Sequence, residues 1–219
     1  MGNVAVLDYG LGNLYSIANA CRQVGLQAQI TGQASELLKA DALILPGVGA
    51  FGDAMATLQR LDLVEAVRDF AATGRPLWGI CLGIQLLLSE SWEFGHHKGL
   101  DLIPGEVVPF PTQQMKVPHV GWNSVNAAAP WQGTGMHGAI SGELFYFVHS
   151  YVVQPSSPQC VLGTTTYGDA TFCAVLQQGN IFACQFHPER SGPGGLKIYH
   201  NLACALGQRI RLGLQKNDA

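Results

Sequence analysis

Pro76-Leu77-Trp78-Gly79-Ile80-Cys81-Leu82-Gly83-Ile84-Gln85 is the stretch that decides the fold. Its first half is a short apolar run after Gly74 and reads as a buried strand. Leu82 to Glu90 carries apolar residues at helical spacing and reads as a helix. Cys81 stands at the junction, with one glycine two residues before it and another two residues after it. That is a nucleophile elbow with cysteine in the nucleophile's place. The turn is too tight for side chains at the flanking positions, so both are glycine. The start of the helix offers unpaired N–H groups and a positive dipole end, which favour a thiolate. The Leu82 amide faces the place where an oxyanion would form. Taken alone, the pattern also suits a buried structural thiol.

Outward from the elbow, strand and helix alternate. Asn3 to Asp8, Gln27 to Thr31 and Ala42 to Leu45 read as strands. Asn13 to Val24, a turn of helix around Ser35 to Lys39, and most of Ala50 to Ala72 read as helices. The expectation is an α/β fold, flavodoxin-like, with a mostly parallel sheet covered by helices on both faces. The second half differs. Phe145 to Ser150, Val161 to Thr166, Thr171 to Gln177 and Ile181 to Phe186 read as strands with hairpin-like links, a smaller antiparallel β extension. Gly195 to Leu206 reads as a closing helix, and residues 91–143, rich in Gly and Pro, as loops and short strands over the site. With no internal repeat or linker, residues 1–219 are expected to form a single domain.

Gln185-Phe186-His187-Pro188-Glu189 supplies what the elbow lacks. Pro188 biases His187 to an extended backbone, where residues i and i+2 point the same way. Glu189 can then hold one ring nitrogen of His187 and leave the other for a thiol.

Composition excludes several classes. The net charge is −3 and there is no Lys/Arg run, which argues against nucleic acid. No apolar run approaches a membrane span. The six cysteines have no zinc-ligand spacing, so no metal site is expected, and scattered thiols suit a reducing, cytoplasmic setting. Only 12% of residues are charged, which points to extensive buried or partner-facing surface. Lys116, His119, Trp122 and Asn123 mix charge with an aromatic in a Pro/Gly loop and suit that interface. Gly47-Val48-Gly49-Ala50-Phe51-Gly52 formally matches a dinucleotide fingerprint, but Asp69, the acidic residue near the required spacing, lies in a helical stretch and not at a strand end, and no cofactor is expected. The better reading is an oxyanion strand with amides of Val48 or Gly49, whose flanking glycines let the Val48 peptide flip.

The two motifs together resemble the class I (triad) glutamine amidotransferases. More narrowly, the chain is similar to the glutaminase subunits of imidazole glycerol phosphate synthases. The narrower match rests on Asp8-Tyr9-Gly10-Leu11-Gly12-Asn13-Leu14, Leu45 to Gly52, Lys116-Val117-Pro118-His119-Val120-Gly121-Trp122-Asn123 and Tyr146-Phe147-Val148-His149-Ser150-Tyr151, and runs from Val4 to about Leu206. The resemblance implies a triad of Cys81, His187 and Glu189, with Val48, Gly49 and Leu82 around the oxyanion. It implies glutamine contacts from Gln85, Ser150 and Tyr151. It adds Asn13, Tyr146 and Arg190 to the partner face and ammonia passage. The implied partner is a (β/α)8-barrel cyclase in a heterodimer of histidine biosynthesis. Arg190 departs from the lysine usual after His-Pro-Glu, and the Ser191-Gly192-Pro193-Gly194-Gly195 that follows also resembles paralogues feeding ammonia to other synthases, such as those of surface-sugar amidation.

Overall fold

The computed structural model describes residues 2–111 and 115–207. Five strands form its parallel centre: β1 (Asn3–Leu7), β2 (Gln27–Thr31), β3 (Ala42–Leu45), β4 (Leu77–Ile80) and β13 (Ile181–Cys184), in the order β2-β1-β3-β4-β13. β3, β4 and β13 are buried at every residue, as parallel strands covered on both faces must be. The helices between them are α1 (Leu14–Gln23), α2 (Ala34–Leu37), α3 (Phe51–Arg60), α4 (Leu63–Ala72) and the short α5 (Leu82–Leu86). α3 buries Phe51, Ala54, Met55 and Leu58, one stripe at helical spacing. Asp62, in the left-handed region, separates it from α4, so the mostly helical stretch expected over Ala50 to Ala72 is two helices. One core layer contains Phe51, Leu58, Phe70 and Leu82; the other contains Ile17, Trp78, Phe186, Tyr199 and Leu202, where α6 (Gly192–Ala205) closes the chain.

Beyond β13 the sheet continues mainly antiparallel through β12 (Ala170–Gln178), β10 (Tyr151–Pro155) and β7 (Ile103–Pro109) to β5 (Leu88–Ser91) and β6 (His97–Lys98). β11 (Val161–Tyr167) pairs with β12 and also with β8 (His119–Ala127), which pairs antiparallel with β9 (Glu143–His149). Two expectations are corrected here. The elbow helix ends at Leu86 rather than Glu90, because Leu88–Ser91 pairs in parallel with β7 and sheet pairing overrides helical spacing in so short an apolar run. Residues 91–143 also hold more than loops and short strands: β8 is nine residues long.

The β8–β9 ladder alternates cleanly. His119 faces His149, Trp122 faces Tyr146 and Asn123 faces Phe145. Phe145, Phe147 and His149 point inward, while Leu144, Tyr146 and Val148 point outward. Val120 and Trp122 on β8 share the outer side.

Candidate active site

Three adjacent parallel strands end at one place. β3 runs out into Pro46-Gly47-Val48-Gly49, β4 into Cys81, and β13 into Gln185-Phe186-His187. Ligand sites of open α/β sheets lie at such carboxyl ends. The Cys81 N–H donates to the Cys184 carbonyl at 2.9 Å, so the elbow and the histidine segment are stitched together before any side chain acts.

Cys81 has φ +54° and ψ −112°, a backbone strain that L-residues rarely accept. The surrounding packing imposes it. A Cβ on Gly79 would stand 2.9 Å from the Gly83 carbonyl oxygen, and one on Gly83 would stand 2.0 Å from that of Leu45. The flanking glycines are therefore fixed by contact with each other and with the neighbouring strand. The thiol is 3.8 Å from the Val148 carbonyl.

His187 Nδ1 and Glu189 Oε1 are 2.8 Å apart, and the carboxylate side chain is fully buried. Glu189 lies in a 3-10 turn over Pro188–Arg190, not in an extended strand. The pairing expected from an i, i+2 extended chain is thus made by a tight turn instead. That turn is pinned: the His187 carbonyl accepts from Ser191 Oγ and from the Arg190 amide, and Ser191 Oγ accepts from the Tyr146 amide. His187 Nε2 is buried and, among the described residues, has no hydrogen-bond partner. Burial alone would lower the His187 pKa, but Cys81 and Glu189 on its two sides outweigh it and lift it to about 10. The imidazolium is thereby held between a sulfur and a carboxylate. By contrast, burial pushes the Cys21 and Cys173 thiols up to about 12, which leaves them inert.

A cavity of about 370 Å³ opens on Cys81, walled by Val48, Gly49, Leu82, Gln85, Glu93, Pro118 and Val148 to Tyr151. The Leu82 amide donates to the Gly47 carbonyl across a long 3.4 Å, so an oxygen arriving at that amide would displace the carbonyl. Gly49, at φ +101° with open space around its Cα, gives the strand the freedom to do so. Gln85 Nε2 donates to the Tyr151 carbonyl and to Gln185 Oε1, at 3.2 and 3.1 Å. Both of its amide protons are spent inside the protein, so Gln85 offers a ligand its carbonyl oxygen.

Glu93 was not singled out in the sequence. It is buried in the cavity wall, and its Oε2 accepts from the Phe51 amide at the start of α3, 2.5 Å away. Burial raises its pKa. A buried carboxylate against a polar cavity suits an ammonium group. Only its burial beside the elbow reveals it, and Ser89-Glu90-Ser91-Trp92-Glu93 has no pattern that would separate Glu93 from Glu90.

The expected partner residues divide. Trp122 and Tyr146 make an edge-to-face pair at 6.2 Å, and the Arg190 guanidinium lies 4.9 Å over the Tyr146 ring. Trp122, Val120 and Leu144 are more than half exposed. Lys116 is exposed, and Asn13 holds the N-cap position of α1 without a side-chain capping bond; α1 packs near the Pro188–Arg190 turn. His119 is corrected: only 2% exposed, it sits on the inner face of β8 beside Phe110, Phe147 and Tyr167. Asn123 shares that face, with its amide on His119 and on the Thr166 carbonyl. Strand alternation separates both from Trp122.

A thiol on an elbow, with a carboxylate-held imidazole at the end of the next parallel strand, is the geometry of a cysteine-dependent amide hydrolase. The chain belongs to the glutamine amidotransferase class-I family, which matches residues 5–205, and it is an enzyme of that class. Within the family it is 45% identical to the imidazole glycerol phosphate synthase subunit HisH of Rhodopirellula baltica, over 92% of this chain and 97% of that protein. It is 48% identical to the HisH subunit of Moorella thermoacetica, over 92% of this chain and 94% of that one. In fold it is similar to PurLQS from Thermotoga maritima, with a TM-score of 0.73 at 19% identity, covering 94% of this chain and all of that one.

Proposed function

We propose that Cys81, His187 and Glu189 hydrolyse glutamine, and that the ammonia passes straight to a (β/α)8-barrel cyclase bound as a heterodimer partner. The chain is the glutaminase subunit of an imidazole glycerol phosphate synthase, in histidine biosynthesis. The observation that carries the chemistry is the convergence of Cys81, His187 and the 47–49 strand at three adjacent strand ends.

The Cys81 thiolate attacks the side-chain amide carbon of glutamine, and the oxyanion is received by the Leu82 amide with Val48 or Gly49. His187, oriented by Glu189, gives its proton to the departing nitrogen as the C–N bond breaks, leaving a thioester and ammonia. It then takes a proton from water as hydroxide attacks the thioester, releasing glutamate and Cys81. Glu93 and the Gln85 carbonyl receive the substrate ammonium, and the Ser150–Tyr151 backbone receives its carboxylate end.

At neutral pH ammonia released to water becomes ammonium, which is no nucleophile. Delivery to a partner is therefore part of the chemistry. The outer face of β8 and β9, with Val120, Trp122, Tyr146, Leu144 and Arg190, lies beside the cavity and is the docking face this reading favours. Among the described residues no helix is long and apolar enough to cross a membrane. A biosynthetic role in histidine synthesis favours a cytoplasmic enzyme.

The test is Cys81→Ala in the reconstituted complex. Glutamate release is expected to vanish while the partner still turns over with added ammonium salt. Glutamate release at the wild-type rate would refute the assignment.

A further inference from the structure

His119 and His149 are buried, and the hydrolysis above uses neither of them. Their hydrogen bonds run in one direction only. The Tyr151 carbonyl can only accept, so His149 Nδ1, 2.9 Å away, carries a proton. Burial, with repulsion from His119 and His187, holds the His149 pKa down at about 3, so the ring is neutral and its Nε2 is bare. That nitrogen must then accept from His119 Nδ1, at 2.9 Å. His119 is neutral for the same reason, burial having lowered its pKa to about 4, and its bare Nε2 accepts from Asn123 Nδ2 at 3.3 Å. The Asn123 amide cannot be reversed, because its Oδ1 accepts from the Ser124 amide at 2.8 Å and its Nδ2 also donates to the Thr166 carbonyl at 3.0 Å. Every ring nitrogen therefore has one assigned role. The chain of donors ends at the Tyr151 carbonyl, in the wall of the Cys81 cavity, where Gln85 also donates.

We propose that His119 and His149 are positioning residues for glutamine: a relay of two neutral imidazoles, anchored by Asn123, that holds the Ser150–Tyr151 backbone and Gln85 in the register that binds substrate. The proposal rests on the glutaminase reading. It assigns the two histidines to binding, not to bond breaking, because neither is placed on the thiol or on His187 Nε2. Removing His119 leaves a buried imidazole nitrogen without its donor and frees His149 to turn away from Tyr151. A loosened Ser150–Tyr151 backbone weakens glutamine binding without touching the thiol, and a tenfold loss corresponds to about 1.4 kcal/mol.

The experiment measures KM and kcat for glutamate release by the complex with saturating partner, for wild type, His119→Phe, His119→Asn and Asn123→Ala. Asparagine places an N–H near the position of His119 Nδ1 and is the rescuing variant. His119→Phe is expected to raise the KM for glutamine about tenfold with kcat changed by less than about threefold, His119→Asn to recover most of that loss, and Asn123→Ala to shift KM in the same direction by less. If His119→Phe does not fold, the comparison of His119→Asn with Asn123→Ala decides, and an unchanged KM in Asn123→Ala overturns the relay. A fall in kcat at constant KM, or a His119→Asn no better than His119→Phe, also overturns it. A wild-type complex that releases no glutamate overturns the glutaminase reading and this proposal with it, whereas a working wild type with an unaffected His119→Phe overturns this proposal alone.

Discussion

His187 is caught between two opposing effects, and its neighbours win. Burial would strip its proton; the Cys81 sulfur and the Glu189 carboxylate keep it on, lifting the pKa to about 10. Activity that needs an imidazolium is then lost as pH rises through that value. Replacing Glu189 by Gln removes one negative partner and leaves the desolvation in place, so the His187 pKa must fall. In Glu189→Gln the alkaline limb of kcat/KM is expected to move to lower pH, and turnover to fall less than in His187→Ala, because Glu189 acts through the base. A pH–rate profile of both variants checks this. An alkaline limb in the same place as wild type would show that Glu189 does not tune His187.

At the scale of elements, the site is made by strand ends and the glycines that let them approach. Gly83 lies against the Leu45 carbonyl, at a distance where a Cβ would stand 2.0 Å from backbone oxygen. Gly83→Ala must therefore push the elbow off β3, and with it the Leu82 amide away from Gly47 to Gly49. Overpacking of this kind destabilises by about 1–3 kcal/mol. Loss of one oxyanion donor slows turnover by roughly 10²–10³. The variant is expected to lose activity far more than stability, measured by glutamate release beside a thermal melt. Wild-type kcat in a folded Gly83→Ala would remove the elbow's glycine from the argument. Gly47 to Gly49 is also the element to which the proposed function assigns a switch. Glutamate release is expected to be slow in the isolated chain and to rise with partner and its ribonucleotide ligand, since in the free chain the Gly47 carbonyl holds the Leu82 amide. Equal rates with and without them would exclude gating.

The elbow and the helix–strand alternation were legible in the sequence because apolar runs and paired glycines are local signals. The pairing of His187 with Glu189 was legible as an outcome but not as a geometry, since a 3-10 turn, not an extended chain, brings them together. Leu82 to Glu90 reads as helix in the sequence because Leu86, Leu87 and Leu88 prolong the helical spacing, whereas the pairing of Leu88–Ser91 with β7, a long-range contact, ends the helix at Leu86. His119 was misplaced for a similar reason: within Val117 to Asn123 nothing local says which alternate residues face in, and that is settled by the Phe147 and Phe172 layer beneath. Glu93 was missed because a carboxylate's burial is a tertiary fact.

For the whole molecule, three histidines contribute to the pH dependence of stability, and their signs differ. His149 and His119 have pKa values lowered by burial to about 3 and about 4, against about 6.5 in an unfolded chain. Below about 6.5 the unfolded chain binds protons that the folded one refuses, so their contribution is full above that pH and is lost as pH falls toward about 4 and about 3. His187, raised to about 10, stabilises fully below the unfolded value and loses its contribution as pH climbs toward about 10. The contributions of these three groups overlap fully only near the unfolded histidine pKa, with slopes of at most about 1.4 kcal/mol per pH unit for each group. Denaturant unfolding between pH 4.5 and 9 is expected to show both limbs. His119→Asn removes one of the two acid-limb groups and keeps a donor to His149, so its acid limb should be shallower than that of wild type while its alkaline limb is unchanged. The carboxylates, Glu93 included, are common to both proteins and cancel in the difference. An acid limb of unaltered slope in His119→Asn would mean that His119 takes up its proton in the folded state as freely as in the unfolded one, and the neutral pair would then fail as a description of this core.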